Sequence, residues 1–209
     1  MSVKAKFRIT DPGVFWSLQT IDQLDQFTFS APQFEEIEDL YLDTRKRRLL
    51  TAGYYCRQRM RTKGCVISLI DIESQNKAGQ PTQQWDVSLK GNDQNPNNWP
   101  ESQVRKRVLK ISTNKKLNPI FRSMQTRITR LIYKEELLIA RATLDHVTCN
   151  MAGDDQQFKT IKITMLIPDD ENYLETITAS LQARWPLEYE PRSKFEQVIA
   201  LESLMQNLK

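Results

Sequence analysis

Arginines and lysines recur at two-residue spacing along this chain, and on an extended backbone that spacing sets cations side by side on one face, where they could hold a phosphate-bearing anion. Arg57 and Arg59 share one face of the segment Tyr54 to Arg61 with Tyr55 and Arg61. Lys4, Lys6 and Arg8 alternate with Val3, Ala5, Phe7 and Ile9. Lys90 falls on the face of Asp86 and Ser88 in Trp85 to Lys90, and Arg105 and Arg107 share one face of the segment Val104 to Ile111, read as a further strand. Phe158 to Ile167 sets Thr160, Lys162 and Thr164 against Ile161, Ile163, Met165 and Ile167. A guanidinium can grip phosphoryl oxygens through two parallel N–H bonds, and an ammonium acts as a mobile point charge. One strand with a wet basic face is an ordinary sheet surface. The repetition of the pattern, with little admixture of the opposite sign, points to a basic cavity.

Other residue types offer less. His146 adjoins Asp145, but neighbours in a strand point to opposite faces and do not make an acid–base pair. Cys56, Cys65 and Cys149 have neither the spacing of a zinc site nor a nucleophile's companions, and Cys56 alternates out of the Arg57 face. Trp16, Trp85, Trp99 and Trp185 read as packing residues.

With 209 residues, 39% of them hydrophobic, the chain is expected to form a single domain over 1–209. No apolar run approaches the roughly 20 residues needed to span a bilayer, so a cytoplasmic protein with no membrane partner is expected. Thirty Lys and Arg against 26 Asp and Glu leave a formal charge of only +4, yet the charges are segregated. Acids gather in Phe34 to Asp39, Asp154–Asp155 and Asp169 to Glu171, and bases in Arg45 to Arg48 and the strands above. Segregation of this kind favours an anionic partner.

The elements that must position these cations are mostly strands. Asp11–Pro12 starts an amphipathic helix whose apolar face is Val14, Phe15, Leu18, Ile21 and Leu24. Strands are predicted over Ile37 to Leu42, Tyr54 to Met60, Cys65 to Ile72, Val104 to Ile111, Ile128 to Tyr133, Leu137 to Val147 and Phe158 to Ile167, with another ending in Val87 to Lys90. A turn holds Asp43–Thr44 and the basic run after it, a polar hairpin loop runs through Asn76 to Pro81, and Gly91 to Pro100 is a surface excursion. Helices over Asp169 to Ala183 and Ser193 to Leu208 close the chain. The expected fold is therefore mainly β (α+β): a closed or nearly closed antiparallel β-barrel tunnel of about eight strands with peripheral helices.

Several segments, in order, resemble one family. Asp39-Leu40-Tyr41-Leu42-Asp43-Thr44, Leu49 to Arg59 and Val87-Ser88-Leu89-Lys90-Gly91 are similar to its early strands. Thr126-Arg127 with Arg130, Leu144-Asp145-His146-Val147 and Ser193-Lys194-Phe195 are similar to its later ones. The family is the CYTH, or triphosphate tunnel metalloenzyme, superfamily, which includes class IV adenylyl cyclases, thiamine triphosphatases and inorganic triphosphatases. The resemblance implies an eight-stranded tunnel in which inward bases bind a triphosphate and inward glutamates hold one or two divalent metals. This chain departs from the pattern at the acids. The N-terminal Glu-x-Glu-x-Lys falls on Ser2, Lys4 and Lys6; the second acidic pair falls near Arg105 to Leu109; the last Glu-x-Glu falls on Thr160 and Lys162. Oxygen ligands are thus replaced by cations, which repel any arriving metal ion.

The expected function is that of a degenerate tunnel protein binding a phosphate-rich anion such as polyphosphate, a nucleoside triphosphate or another nucleotide, with no cofactor and no metal-dependent hydrolysis. The expected anion-binding set is Lys4, Lys6, Arg57, Arg59, Lys90, Arg105, Arg107, Arg127, Arg130, Lys162 and Lys194. One alternative is an active triphosphatase or cyclase that places Mg²⁺ or Mn²⁺ on displaced ligands, Glu36, Glu38 and Asp145. Another is a nucleic-acid-binding or protein-interaction module in which Arg45 to Arg48 track a backbone beside Tyr41, Tyr54 and Tyr55.

Overall fold

In the computed structural model of the protein, which describes residues 3–61, 64–76, 83–151, 154–167 and 171–207, the alternating segments form an eleven-stranded sheet. Its strands are β1 (Lys4–Ile9), β2 (Gln23–Leu24), β3 (Phe27–Phe29), β4 (Gln33–Asp43), β5 (Tyr54–Arg61), β6 (Gly64–Asp71), β7 (Gln84–Leu89), β8 (Asn118–Lys134), β9 (Leu137–Met151), β10 (Asp154–Met165) and β11 (Leu187–Tyr189). The helices are α1 (Pro12–Thr20), α2 (Arg48–Thr51), α3 (Ile72–Asn76), α4 (Gln103–Ser112), α5 (Glu171–Arg184) and α6 (Lys194–Asn207), with a 3₁₀ turn at Pro96–Asn98. Hydrogen-bonded strands follow the order β11-β1-β10-β9-β8-β4-β5-β6-β7, and the β2–β3 hairpin joins β8 through β3.

This order corrects the expectation of a closed or nearly closed barrel of about eight strands. The path ends at β11 and β7, which do not pair, so the sheet is not closed. Three short strands, β2, β3 and β11, account for the larger number; two or three residues are too few to show a period in the sequence. Val104 to Ile111 is not a strand but helix α4. Ser102 caps it, its hydroxyl accepting from the Arg105 N–H at 3.2 Å, and Val104 and Val108 are buried one turn apart. Helix α1 stops at Thr20, which leaves Ile21 as its C-cap and Leu24 on β2. The hairpin loop expected over Asn76 to Pro81 lies, after Asn76, outside the described residues, as do Ser2 and the expected helix starts at Asp169–Asp170.

The chain forms two compact units. The first comprises residues 1–35, 125–148 and 157–191; the second comprises 36–124, 149–156 and 192–209. In the first, β1 pairs antiparallel with β10 in a register that sets Phe7 opposite Ile161 and Lys6 opposite Lys162. Successive side chains alternate across the sheet, so Phe7, Ile9, Ile161, Ile163 and Met165 enter a core with Val14, Phe15 and Leu18 of α1 and Ile177 and Leu181 of α5, while the lysines take the other face. In the second unit, Leu42, Cys56, Ile67 and Leu69 pack with Val104 and Val108 of α4 and with Trp99. That arrangement turns Arg57 and Arg59 to the side of the sheet away from α4.

One buried carboxylate organises the turn where a simple basic loop is expected. Asp43 Oδ1 accepts from the N–H groups of Thr44 at 2.6 Å and Leu49 at 2.9 Å, and Oδ2 accepts from that of Leu50 at 3.0 Å. The Thr44 hydroxyl accepts from the Arg48 N–H at 3.1 Å, and Arg47 takes a left-handed φ of 53° to bring the chain round. These bonds satisfy the first donors of α2, whose four residues could not hold a helix alone. Asp43→Ala is expected to lower the unfolding free energy by about 2 kcal/mol, read from the urea midpoint at unchanged slope; no shift would mean that water replaces these bonds without loss.

Candidate anion-binding faces

The face of the second unit that carries Arg57 and Arg59 is built by strand register. Asp39 stands opposite Arg59, Tyr41 opposite Arg57, Arg57 opposite Ser68 and Ser68 opposite Asp86. Asp39 is wholly buried and is gripped by two cations. Arg59 Nε donates to Oδ1 at 2.6 Å and Nη2 to Oδ2 at 2.7 Å, while Lys194 Nζ from the start of α6 reaches Oδ2 at 3.0 Å. Burial alone would raise the Asp39 pKa, but the Arg59 hydrogen bonds and the charges of Lys194, Arg57 and Arg59 hold it well below the usual carboxylate range. Asp39 thus stays ionised and fixes the positions of Arg59 and Lys194.

Arg57 is placed differently. Its Nη2 lies 3.4 Å from the Ser68 hydroxyl, and its Nε is buried with no hydrogen-bond partner among the described residues. A buried donor left unpaired costs about 1–3 kcal/mol, a cost that an incoming acceptor would remove. Beside it, Tyr41, Tyr55, Phe121 and Phe195 form a stacked aromatic floor; Tyr41 and Phe121 centroids are 4.3 Å apart, and Tyr55 and Phe195 4.6 Å. All four rings are buried. Tyr41 and Tyr55 are therefore packing groups here, and Tyr54 rests against Trp85 at 6.2 Å, so none of the three is presented for base stacking. Lys90 is exposed just past the end of β7.

The first unit carries a second basic face. Lys4, Lys6 and Arg8 of β1 stand opposite Thr164, Lys162 and Thr160 of β10. Like charges directly opposite are unfavourable. Burial, then the nearby Arg127, with further contributions from Lys4 and Arg141, lowers the Lys162 pKa to about 8, against a smaller opposing pull from Asp145. Asp145 is itself bound by Arg127, Nε to Oδ1 at 2.8 Å and Nη2 to Oδ2 at 2.9 Å. Neither Lys4 nor Lys162 makes an ion pair among the described residues. Arg141 was not among the cations singled out from the sequence, although two-residue spacing from Thr143 and Asp145 sets it on their face.

Three predicted anion-binding residues lie elsewhere. Arg130 is 1% exposed, with Nε donating to the Ser30 carbonyl at 2.7 Å, Nη1 to the Gln19 carbonyl at 3.0 Å and Nη2 to Asp22 at 3.3 Å. It ties the end of α1 to β3. Being three residues from Arg127 on one strand, it faces the other way, a parity legible in the sequence. Arg105 donates to Glu101 at 2.7 Å and Arg107 stacks on Trp85 at 4.0 Å, both on helix α4, which packs on the opposite side of the sheet from Arg57. The alignment of the family's second acidic pair to this segment fails with the helix.

Carboxylates do not converge. Glu36 is exposed, Glu38 is paired with Arg122 at 2.5 Å, and Asp145 is held by Arg127. Among the described residues no group of three or more His, Cys, Asp or Glu could hold a metal ion. A divalent cation of the Mg²⁺ kind seeks about six oxygen ligands; on these faces Asp39 and Asp145 are already neutralised by guanidinium groups, and the exposed Asp86 and Glu188, set opposite Ser68 and Arg8, join no metal-binding group among the described residues. Among the described residues, no set of ligands fits the divalent metal that the family resemblance implies. The thiols add no nucleophile: burial pushes Cys149 up to about 11 and Cys56 higher still. His146 lies 3.4 Å from the Gln157 amide oxygen and against Phe15, with no charged partner among the described residues.

The protein is thus of a mainly β, antiparallel class in which each unit carries cations on one face of its sheet and packs helices, α1 and α5 in the first and α4 in the second, on the other. The CYTH domain model matches residues 2–183, and the chain belongs to that family. No curated protein matches it in sequence. Among solved structures it is similar to HpAC1 of Hippeastrum, described as having a dominant triphosphatase activity, at 18% identity and a TM-score of 0.67 over 94% of both chains. It is also similar to a candidate adenylate cyclase of Bacillus halodurans, at 15% identity and 0.62 over 94% of this chain and 96% of that one. The PH1819 protein of Pyrococcus horikoshii matches at 18% and 0.52 over 97% and 99%. These likenesses bear on the fold. No helix among the described residues is long and apolar enough to cross a membrane.

Proposed function

We propose that the protein binds a phosphate-rich anion, a triphosphate, nucleoside triphosphate or polyphosphate, on its basic strand faces and does so without metal-dependent hydrolysis. Membership of the CYTH family supports the phosphate-binding half of this reading. The observation that carries it is Arg57, whose buried Nε lacks a hydrogen-bond partner among the described residues, beside an Asp39 already held by Arg59 and Lys194. Arg57 would receive a phosphoryl oxygen there, with Lys90 as a further point charge. On the face of the first unit Lys4, Lys6 and Lys162 would do the same, with Arg127 positioned by Asp145. A tethered ammonium supplies charge but cannot lower the pKa of a bound water, so these substitutions keep binding and remove the means of generating hydroxide.

Calorimetric titration with tripolyphosphate in EDTA is expected to show binding that Mg²⁺ does not strengthen, with no phosphate release. Arg57→Ala is expected to weaken it about tenfold or more. Binding that requires Mg²⁺ or Mn²⁺, accompanied by turnover, would replace this reading with that of an active triphosphatase.

A further inference from the structure

The side of the second unit away from Arg57 carries a basic surface of its own. Helix α4 meets the sheet through Val104 and Val108 and leaves Lys106, Arg107 and Lys110 exposed, with Lys115 and Lys116 exposed just beyond its end. Helix α2 packs against α4, and the Arg48 guanidinium donates to the Thr113 hydroxyl, which brings the turn bearing the exposed Arg45 and Lys46 to the same end. Glu101 answers Arg105 at 2.7 Å and Lys106 at 3.3 Å. Arg45, Lys46, Arg107, Lys110, Lys115 and Lys116 make no ion pair among the described residues. Asp43, the nearest acid in the chain to the turn, is buried and fully engaged as a cap.

Two further features narrow the partner. From Arg45 to Lys116 no large apolar side chain among the described residues is exposed. The surface therefore presents no fully exposed apolar side chain to insert into a lipid layer, and the half-buried ring of Trp85 is already covered by Arg107, 4.0 Å from its centroid, rather than open to an unpaired base. The cations form a dispersed row rather than a pocket; Lys106 and Lys110, four apart on a helix, sit about 5–6 Å from one another. A row of this kind suits a polymer whose phosphates are regularly spaced and whose bases are turned inward.

We propose that the α2–α4 surface binds the sugar-phosphate backbone of a nucleic-acid duplex without reading its sequence, at a site separate from the Arg57 face. The charge on the duplex is met by exposed side chains, so binding releases counterions and weakens steeply with salt, log K falling with log [salt] by about 0.9 per phosphate neutralised.

Fluorescence anisotropy of a short labelled DNA duplex across a KCl series tests this on the full chain. The wild type is expected to bind at low salt with a steep slope, equally for duplexes of unrelated sequence. The triple variant Lys110→Ala, Lys115→Ala, Lys116→Ala is expected to bind about tenfold or more weakly, with the slope shallower by about two to three. Tripolyphosphate binding by that variant stays unchanged, and Arg57→Ala leaves duplex binding intact, so failure of this site and failure of the Arg57 face are told apart. A wild type that does not bind duplex at low salt, a triple variant that binds as well as wild type, or binding confined to long-chain polyphosphate or anionic vesicles would each overturn the assignment.

Discussion

Asp39→Asn is expected to lower the unfolding free energy by about 3–5 kcal/mol, because it removes a negative charge shared by two largely buried cations while leaving the volume unchanged. Arg59 and Lys194 keep only 13% and 14% of their side-chain surface exposed, and both spend hydrogen bonds on Asp39. Without the carboxylate they repel each other and Arg57 across the same face. The effect has a definite pH signature. The folded pKa of Asp39 lies below its unfolded value of 3.8, so its contribution is fully present above that pH and is lost as pH falls through the folded pKa. Wild type should therefore lose part of its stability in acid that the variant never had. Urea denaturation at neutral and acidic pH reads both effects, and a neutral-pH loss under about 1 kcal/mol would show that the triad is a solvated surface cluster. The same variant is expected to bind tripolyphosphate more tightly per folded molecule, since the Asp39 carboxylate no longer competes with it for Arg59 and Lys194.

Lys162→Met should act in the opposite sense on stability. Lys162 is pressed by burial, Arg127, Lys4 and Arg141, and carrying its charge costs the folded state. The folded pKa of about 8 lies below the unfolded 10.5, so the cost is fully present below pH 8 and is relieved as pH rises from about 8 to 10.5. Removing the amine is expected to stabilise the protein at neutral pH by about 2–3 kcal/mol, an advantage that shrinks across that window. It should weaken tripolyphosphate binding at the same time. A bound anion raises the pKa of Lys162, so wild-type binding takes up a proton near pH 8 and weakens as pH rises past it, whereas Lys162→Met binds with a flatter pH profile. Melting temperature and calorimetry across pH 7 to 10 measure the two together; a variant no more stable than wild type would mean that Lys162 is solvated and uncrowded. Stability given up at a charged cluster in the absence of ligand is a mark of a binding site rather than of a surface.

The alternation of Lys4, Lys6 and Arg8 with Phe7 and Ile9, of Arg57 and Arg59 with Cys56, and of Thr160 and Lys162 with Ile161 and Ile163 determined by itself which side chains share a face, because a strand's period of two leaves no other arrangement once one face must be buried. The Asp11–Pro12 start of α1 was equally legible, since Asp11 accepts from Gly13 N–H at 2.7 Å and proline needs no donor there. Helix α4 reads as a strand in the sequence because the alternation of Arg105 and Arg107 masks the cap at Ser102 and the helical stripe of Val104, Val108 and Ile111.

Other properties rest on contacts between residues far apart in the chain, and no local period encodes them. Only the tertiary structure decided that Asp39 meets Lys194 across 155 positions, that Arg127 is claimed by Asp145, and that Arg130 turns inward to the carbonyls of Gln19 and Ser30. It also decided that the sheet path ends at β11 and β7, since closure depends on whether two distant edges meet. Composition and spacing supply the cations; which of them an internal acid or carbonyl already satisfies, and which remain for a ligand, is a property of pairing in space.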